Sequence, residues 1–419
     1  MKVFKFGGAS INSAERMKNT AEIIKSHQGK LLVVVSAMGK TTNALESVAQ
    51  SFFHENKDVA LQLFEKIKDN HLQLIKYLVT QRWQQAEDRV KTFFTETEWL
   101  LHDKPVRHFD YYYDQIVCTG ELMSSSILAD YLNEQGCNCA WVDVRDILRT
   151  DNNFRDANID WNFTGSKIQQ HILPLFEKHD VVITQGYIGA TDENESTTLG
   201  REGSDYTAAV FANLLPAESV TIWKDVEAVM NADPRIYTDA IKIPELSYNE
   251  VIEMAYYGAQ VIHPKTIKPL QNKGIPLFVK SFIDPSLPGT VITKLIAKNI
   301  PPVIIHKNNQ VLISFKSKDF SFVEGKPMDQ LLEIFRAAKI KSNLSQHTAI
   351  SLLCCFDAHP EKIGQIAEEA SALFDVEVTT ELSLLTIRHY TPELIKKMSE
   401  GHEVILEQRT TQTSQMVLR

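Results

Sequence analysis

The sequence predicts an α/β domain with a mostly parallel, buried sheet, followed by small ferredoxin-like α+β modules. Three observations carry that prediction. Short β-rich apolar runs alternate with helical stretches from the N-terminus to about residue 282. Glycine turns stand where two of those runs give way to helices, at Gly7-Gly8 and Gly200–Gly203. Pro285, Pro288, Gly289, Pro301 and Pro302 then break the pattern and separate a tail of shorter elements.

Val3–Phe6 reads as a strand, and Ala14, Met17, Ala21 and Ile24 recur behind it at helical spacing. Leu31–Val35 is apolar throughout, as expected of a strand covered on both faces. Residues from about Thr42 to His102 are helix-forming, and a further helix covers Ser124–Glu134. Ala140–Val144 and Val181–Thr184 are strand-like, Ser204–Leu215 is helical, and Val220–Trp223 is a strand. Ile275–Phe282 is read as the last strand of this region. In the tail, strand Val311–Phe315, helix Met328–Ala338, strands near Ile340–Leu344 and Ile350–Phe356, and helix Lys362–Phe374 make one β-α-β-β-α unit. A weaker second unit runs from Val376 to Arg419. The expected domains are therefore 1–290 and 300–419.

Composition narrows the function. The 419 residues are 43% hydrophobic and 23% charged, enough for two or more domains. A net charge of −9 without a basic stretch argues against nucleic acid. Acidic ligands must then be held by local cations. Met1–Phe6 reaches Gly7 too soon for a signal h-region, and no apolar run is long enough for a membrane span. Cys118, Cys137, Cys139, Cys354 and Cys355 form no C-x-x-C pair and read as reduced thiols, which with the missing signal predicts a cytoplasmic protein.

The two glycine turns carry the chemistry. Lys5-Phe6-Gly7-Gly8-Ala9-Ser10 sets a cation beside a turn whose N–H groups can approach an anion, and a lysine in that place binds phosphate. Gly200-Arg201-Glu202-Gly203-Ser204-Asp205 opens a helix with an arginine and a carboxylate, and a helix N-terminus favours anions. Two such turns fit two anions held face to face, a phosphoryl donor and an acidic acceptor. Ser36-Ala37-Met38-Gly39-Lys40-Thr41-Thr42 resembles a P-loop superficially. A Walker A loop needs a glycine five residues before Gly39, where Val34 stands inside the strand, so this is read as a polar loop offering Ser36 and Thr42. Glu121, Asp225 and Asp233-Pro234-Arg235 have ordinary readings as a first-turn glutamate and as turn residues.

Together these motifs resemble the aspartate kinases of the amino acid kinase superfamily. The resemblance covers residues 1–290 well and the rest loosely. It includes Val35-Ser36-Ala37, Gly120–Ser124, Thr184–Gly189, Trp223-Lys224-Asp225-Val226, Ala232–Arg235 and Gly258–Pro264. Three positions depart from the family pattern: Ala9 replaces a threonine, Glu202 a glycine and Lys224 a threonine. Glu202 adds negative charge beside an anion site, and Lys224 is the cation that would compensate it.

The resemblance implies a three-layer αβα sandwich followed by paired ACT-like regulatory modules, the second lacking a final helix and strand. It implies transfer of the ATP γ-phosphoryl group to the side-chain carboxylate of L-aspartate, with Mg²⁺ on the phosphates and no dedicated protein metal site. Lys5 would stabilise the γ-phosphoryl charge and Asp205 would orient Lys5. Backbone N–H groups of Gly7, Gly8 and Gly203 would cradle oxygens. Arg201 would grip the α-carboxylate of aspartate, Glu121 its ammonium, and Ser36, Thr42 and Ser204 its carboxylate oxygens. Lys224, Asp225 and Arg235 fall where the nucleotide is expected. It further implies a homodimer joined through the C-terminal modules. Lysine-sensitive members carry an acid in the strand lining the effector cleft, where Asn343 stands here. The chain ends at Arg419 and reads as monofunctional. Two other readings stay open: a glutamate-, carbamate- or nucleotide-specific kinase of the same superfamily, and a catalytically inactive amino-acid sensor.

Overall fold

The computed structural model describes residues 1–296, 299–319 and 322–419. They form two compact units, the first of Met1–Val229, Pro244–Ile252 and Val261–Ala297, the second of Met230–Ile243, Glu253–Gln260 and Lys298–Arg419.

The first unit is built on an eight-stranded sheet. Its strands are β1 (Lys2–Phe6), β2 (Leu31–Val35), β3 (Cys139–Trp141), β4 (Val181–Gln185), β5 (Ser219–Lys224), β6 (Glu245–Ser247), β7 (Leu277–Ser281) and β8 (Thr290–Thr293), in the order β6-β8-β7-β5-β1-β2-β4-β3. Every pairing is parallel except β7 with β8. β8 is a strand beyond Ile275–Phe282, which the sequence reading took as the last. It is four residues long and follows the turn at Gly289, so its signal in the sequence is short. β2 and β4 are buried along their whole length, as continuous apolar runs demand.

Helices connect these strands: α1 (Ala14–Lys25), α2 (Thr41–Phe53), α3 (Lys57–Leu78), α4 (Trp83–His102), α5 (Phe109–Val117), α6 (Thr119–Glu134), α7 (Gly203–Leu214) and α8 (Pro264–Lys273). Ser13 caps α1 by accepting from the Arg16 N–H. The long helical stretch after Thr42 resolves into α2, α3 and α4, broken near Glu55 (φ 59°) and at Thr80–Arg82, where the Glu134 carboxylate accepts three backbone N–H bonds. α6 and α7 are buried on almost all sides, so neither shows amphipathic spacing.

The second unit holds a six-stranded antiparallel sheet. Its strands are β9 (Val303–Ser317), β10 (Leu344–His347), β11 (Ser351–Asp357), β12 (Phe374–Arg388), β13 (Val404–Arg409) and β14 (Thr413–Leu418), in the order β10-β11-β9-β12-β14-β13. Helices α9 (Lys326–Ala337), α10 (Pro360–Ala370) and α11 (Pro392–Ser399) complete it. β9 and β12 are 15 residues each and serve two modules, with a register shift between Lys307 and Gln310. From Val311 the order strand-α9-β10-β11-α10-strand is a complete ferredoxin-like unit around Ile313, Phe315, Leu331, Phe335, Phe356 and Ile366. The second half of β12, α11, β13 and β14 form the other module, cored by Leu385, Ile387, Ile395 and Met416. Its fourth strand comes from upstream: Val303–Lys307 pairs with Leu384–Arg388. Phe374, read as the end of a helix, instead starts β12 and packs on Phe315.

Candidate active site

A cavity of about 610 Å³ opens in the first unit at the ends of β1, β2 and β5 and the start of α7. It is lined by all but one of the site residues expected from the sequence. Parallel strands place their carboxyl ends, and the helix N-termini that follow, on one side of a sheet, which is where anion sites form in α/β folds.

β1 ends with Lys5 and passes through Gly7 into a short 3₁₀ turn over Gly8–Ile11. A Cβ on Gly8 would stand 2.8 Å from the carbonyl oxygens of both Ala37 and Gly39. Glycine is therefore required for the turn after β1 to lie against the loop after β2. The Gly39 N–H donates to the Gly8 carbonyl (3.0 Å), the Ser36 N–H to Phe6 (3.1 Å), and the Ser10 hydroxyl to Gly7 (2.6 Å). The Lys5 ammonium meets Asp205 Oδ1 at 2.7 Å, with the two side chains 12% and 4% exposed. Burial alone would raise the Asp205 pKa, but the ammoniums of Lys5 and Lys224 more than offset it and the carboxylate stays ionised.

The second turn leads into α7. A Cβ on Gly186 would fall 2.5 Å from Ser204 Cβ, so glycine at the end of β4 lets α7 close on the sheet. Ser204 Oγ then accepts a hydrogen bond from Ser36 Oγ (2.9 Å). Gly203 plays a different part from the one expected. Its N–H donates to the Gly200 carbonyl (3.0 Å) instead of facing the cavity. A Cβ there would strike the Tyr187 ring at 2.7 Å.

Glu121 sits in the first turn of α6, 2% exposed. Its Oε1 accepts from the Ala37 N–H (3.3 Å), while Oε2, among the described residues, meets no hydrogen-bond partner. Burial pushes its pKa up to about 8, against the Ala37 N–H and the Lys5 charge. A buried acid with an unsatisfied oxygen in a cavity is a seat for a cation.

Three non-glycine residues of the lining have left-handed backbones: Arg155 (φ 68°), Tyr187 (φ 73°) and Glu202 (φ 53°). Such conformations persist where the surroundings over-determine them. The Arg155 N–H donates to Asp114 Oδ2 (2.9 Å) and the Tyr187 N–H to Thr207 Oγ1 (3.0 Å). Asp114 is fully buried and also accepts from Thr198, and burial pushes its pKa up to about 6. The Arg155 guanidinium lies 4.3 Å from the Tyr113 ring centroid, and Tyr113 and Tyr187 meet through their hydroxyls (3.3 Å). Sequence reasoning missed Arg155 and Tyr187, because positive φ at a non-glycine leaves no compositional trace, and Tyr113, because its place in α5 reads as an ordinary helix aromatic.

Glu202 and Lys224 do not pair with each other. Glu202 Oε2 accepts from the His263 N–H (2.8 Å), and the Lys224 ammonium donates to the Val261 carbonyl (2.7 Å). Trp223 and Asp225 line the cavity beside Lys224. Arg235 is the site residue absent from the lining. It belongs to the second unit, where it is exposed and ion-paired with Asp233 at 2.6 Å.

Comparison with known proteins identifies the family. The model of the amino acid kinase family matches residues 1–281. Lysine-sensitive aspartokinase 3 of Escherichia coli (strain K12) is 30% identical over 414 residues, covering 96% of this chain and 89% of its own. The crystal structure of E. coli aspartokinase III with aspartate and ADP, in the R-state, superposes with a TM-score of 0.81 at 27% identity, covering 100% of this chain and 96% of that one. The T-state structure with lysine and aspartate gives 0.82 at 27% identity, covering 100% and 95%. With a family match over residues 1–281 and a relative aligned almost end to end, the chain belongs to the amino acid kinase family, in its aspartokinase branch.

Proposed function

We propose that this protein transfers the γ-phosphoryl group of ATP to the side-chain carboxylate of L-aspartate, giving 4-phospho-L-aspartate and ADP. The observation that carries the reading is one cavity holding both the Lys5–Asp205 ion pair and the unsatisfied Oε2 of buried Glu121. The first suits a transferring phosphoryl group, the second the ammonium of an α-amino acid. Arg201, exposed at the lining, offers a planar fork for the α-carboxylate. Ser36, Thr42 and Ser204 offer hydroxyls to the carboxylates. Gly7, Gly8, Lys224 and Asp225 line the wall assigned to the nucleotide.

The reaction asks little covalent chemistry of the protein. A side-chain carboxylate with a pKa of about 4 is already ionised at neutral pH, so no general base is needed. Its oxygen forms the new P–O bond as the bond to the β,γ-bridging oxygen breaks and ADP leaves. Phosphoryl transfer then depends on positioning and charge stabilisation. Lys5 supplies a fixed positive charge, and Asp205 keeps it in place. Mg²⁺ would be carried on the ATP phosphates, as the family resemblance implies. Bound there, Mg²⁺ neutralises charge between the two anions.

Residues 1–290 are assigned the catalysis and 300–419 a regulatory role, with a homodimer joined through the C-terminal modules. Among the described residues no helix is long and apolar enough to cross a membrane, and the reduced thiols support a cytoplasmic enzyme. The test is ADP release with hydroxylamine trapping of the acyl phosphate. Hydroxamate should form with aspartate and not with glutamate or carbamate. ATP turnover without aspartate dependence, or none at all, would refute the reading.

A further inference from the structure

The start of α8 grips the second glycine turn from several sides. The Lys224 ammonium donates to the Val261 carbonyl (2.7 Å), and the His263 N–H donates to Glu202 Oε2 (2.8 Å). Lys265 donates back to the Leu199 carbonyl (3.1 Å) and to Asp156 Oδ1 (2.7 Å). His263 is also the N-cap of α8, its Nδ1 accepting from the Lys265 N–H (3.2 Å). Val261–Lys265 and Leu199–Glu202 are thus tied at both ends of the turn that carries Arg201.

Two of these ties use residues that depart from the family pattern. Glu202 has a φ of 53°, a conformation that glycine adopts with less strain. A glycine could not reach the His263 N–H. A threonine at 224 would be too short to carry a hydroxyl as far as the lysine ammonium reaches.

We propose that Glu202 and Lys224 are positioning residues: together they pin the Val261–His263 backbone beside the second glycine turn and thereby fix Arg201 for the carboxylate of the acceptor. The proposal rests on the aspartate kinase reading. It also changes the meaning of Glu202, whose carboxylate serves the backbone of α8 instead of opposing an anion.

The test compares Glu202→Gly with Glu202→Gln in the full-length protein. Glutamine keeps an oxygen that accepts from the His263 N–H, whereas glycine removes it and relaxes the backbone. In Glu202→Gly, KM for aspartate should rise about tenfold, the loss of one charge-assisted hydrogen bond's worth of order, with KM for ATP within about twofold. Glu202→Gln should stay within about twofold for both substrates. Amide hydrogen exchange over Val261–Lys265 should speed up in Glu202→Gly and in Lys224→Met, and not in Glu202→Gln. An unchanged aspartate KM in Glu202→Gly, or equal damage in Glu202→Gln, would overturn the proposal. Unchanged exchange in Lys224→Met would remove Lys224 from it. If the wild type forms no aspartyl phosphate, the functional reading fails, and the exchange pattern still decides whether the clamp exists.

Discussion

Lys5 and Asp205 form a nearly buried ion pair 200 residues apart in sequence, and the Lys5 ammonium helps keep the buried Asp205 carboxylate ionised. Lys5→Ala should lower kcat by about 10²–10³ or more, the usual cost of losing an electrostatic stabiliser. It should also cost stability, up to about 3–5 kcal/mol, because Asp205 is left buried with only the more distant Lys224 charge to offset it. The double variant Lys5→Met with Asp205→Asn separates the two effects: the melting temperature recovers and turnover does not. Near-normal turnover in folded Lys5→Ala would refute the role. Glu121 gives a second prediction. Its folded-state pKa of about 8 lies above the ordinary 4.5, so the folded protein keeps a proton that the unfolded chain has released. Stability therefore falls as pH rises through that window, and Asp114, raised to about 6, adds to the same slope. Glu121→Gln should flatten the slope in thermal melts across the window. The wild-type KM for aspartate should fall as pH rises towards 8, since the ammonium needs the ionised acid. A pH-independent KM would separate Glu121 from the acceptor.

At the scale of elements, the site is a set of close approaches between glycine turns and their neighbours. Gly8 lets the turn after β1 lie on the loop after β2, and Gly186 lets α7 close on β4. Gly186→Ala should destabilise the protein by about 1–3 kcal/mol through overpacking against Ser204, read from urea unfolding. It should also disturb the Ser36–Ser204 hydroxyl contact and raise KM for aspartate more than KM for ATP. Unfolding at the wild-type midpoint would show that the strand and helix can separate freely. β1, β2, β4, β5 and α1 were legible because apolar runs and helical spacing mark them directly, and α7 because a glycine turn opens its unbroken run. β8 was not, and neither was the division of the 42–102 stretch into three helices. Those boundaries depend on Gly289 and on Glu134 reaching back to Thr80–Arg82, contacts that no local pattern records.

At the scale of the molecule, the tail's two modules share their long strands β9 and β12. Asn343 lies just before β10 and is fully engaged: its amide donates to Gln310 Oε1 (2.8 Å) and Asp357 Oδ1 (3.0 Å), and its oxygen accepts from the Lys307 ammonium (2.8 Å). Asp357 is matched by the same lysine at 3.0 Å. A free lysine ammonium would find here a neutral amide and an acid already paired. Exchanging a charged partner for an amide costs about 1–3 kcal/mol, tenfold or more in affinity. Half-inhibition by lysine should therefore lie above the sub-millimolar range in steady-state assays, and sub-millimolar inhibition would refute this. Light scattering should give the mass of a dimer, because β10 and β13 leave sheet edges to be covered. A monomer alone would refute the homodimer.

The sequence by itself determined the α/β class, the two glycine turns and the identities of Lys5, Glu121, Arg201 and Asp205. Glycine, charge and apolar periodicity are local signals that survive in one dimension. The family resemblance already implied that Asp205 orients Lys5, and the structure brings the two to 2.7 Å. Tertiary structure alone turned the Gly203 N–H inward to Gly200. It left Arg235 out of the cavity lining and added Tyr113, Arg155 and Tyr187 to it. It also gave Glu202 and Lys224 to the backbone before α8 instead of to each other. The reason is physical: which donor meets which acceptor depends on how the chain returns over two hundred residues, and composition at either end does not encode that path.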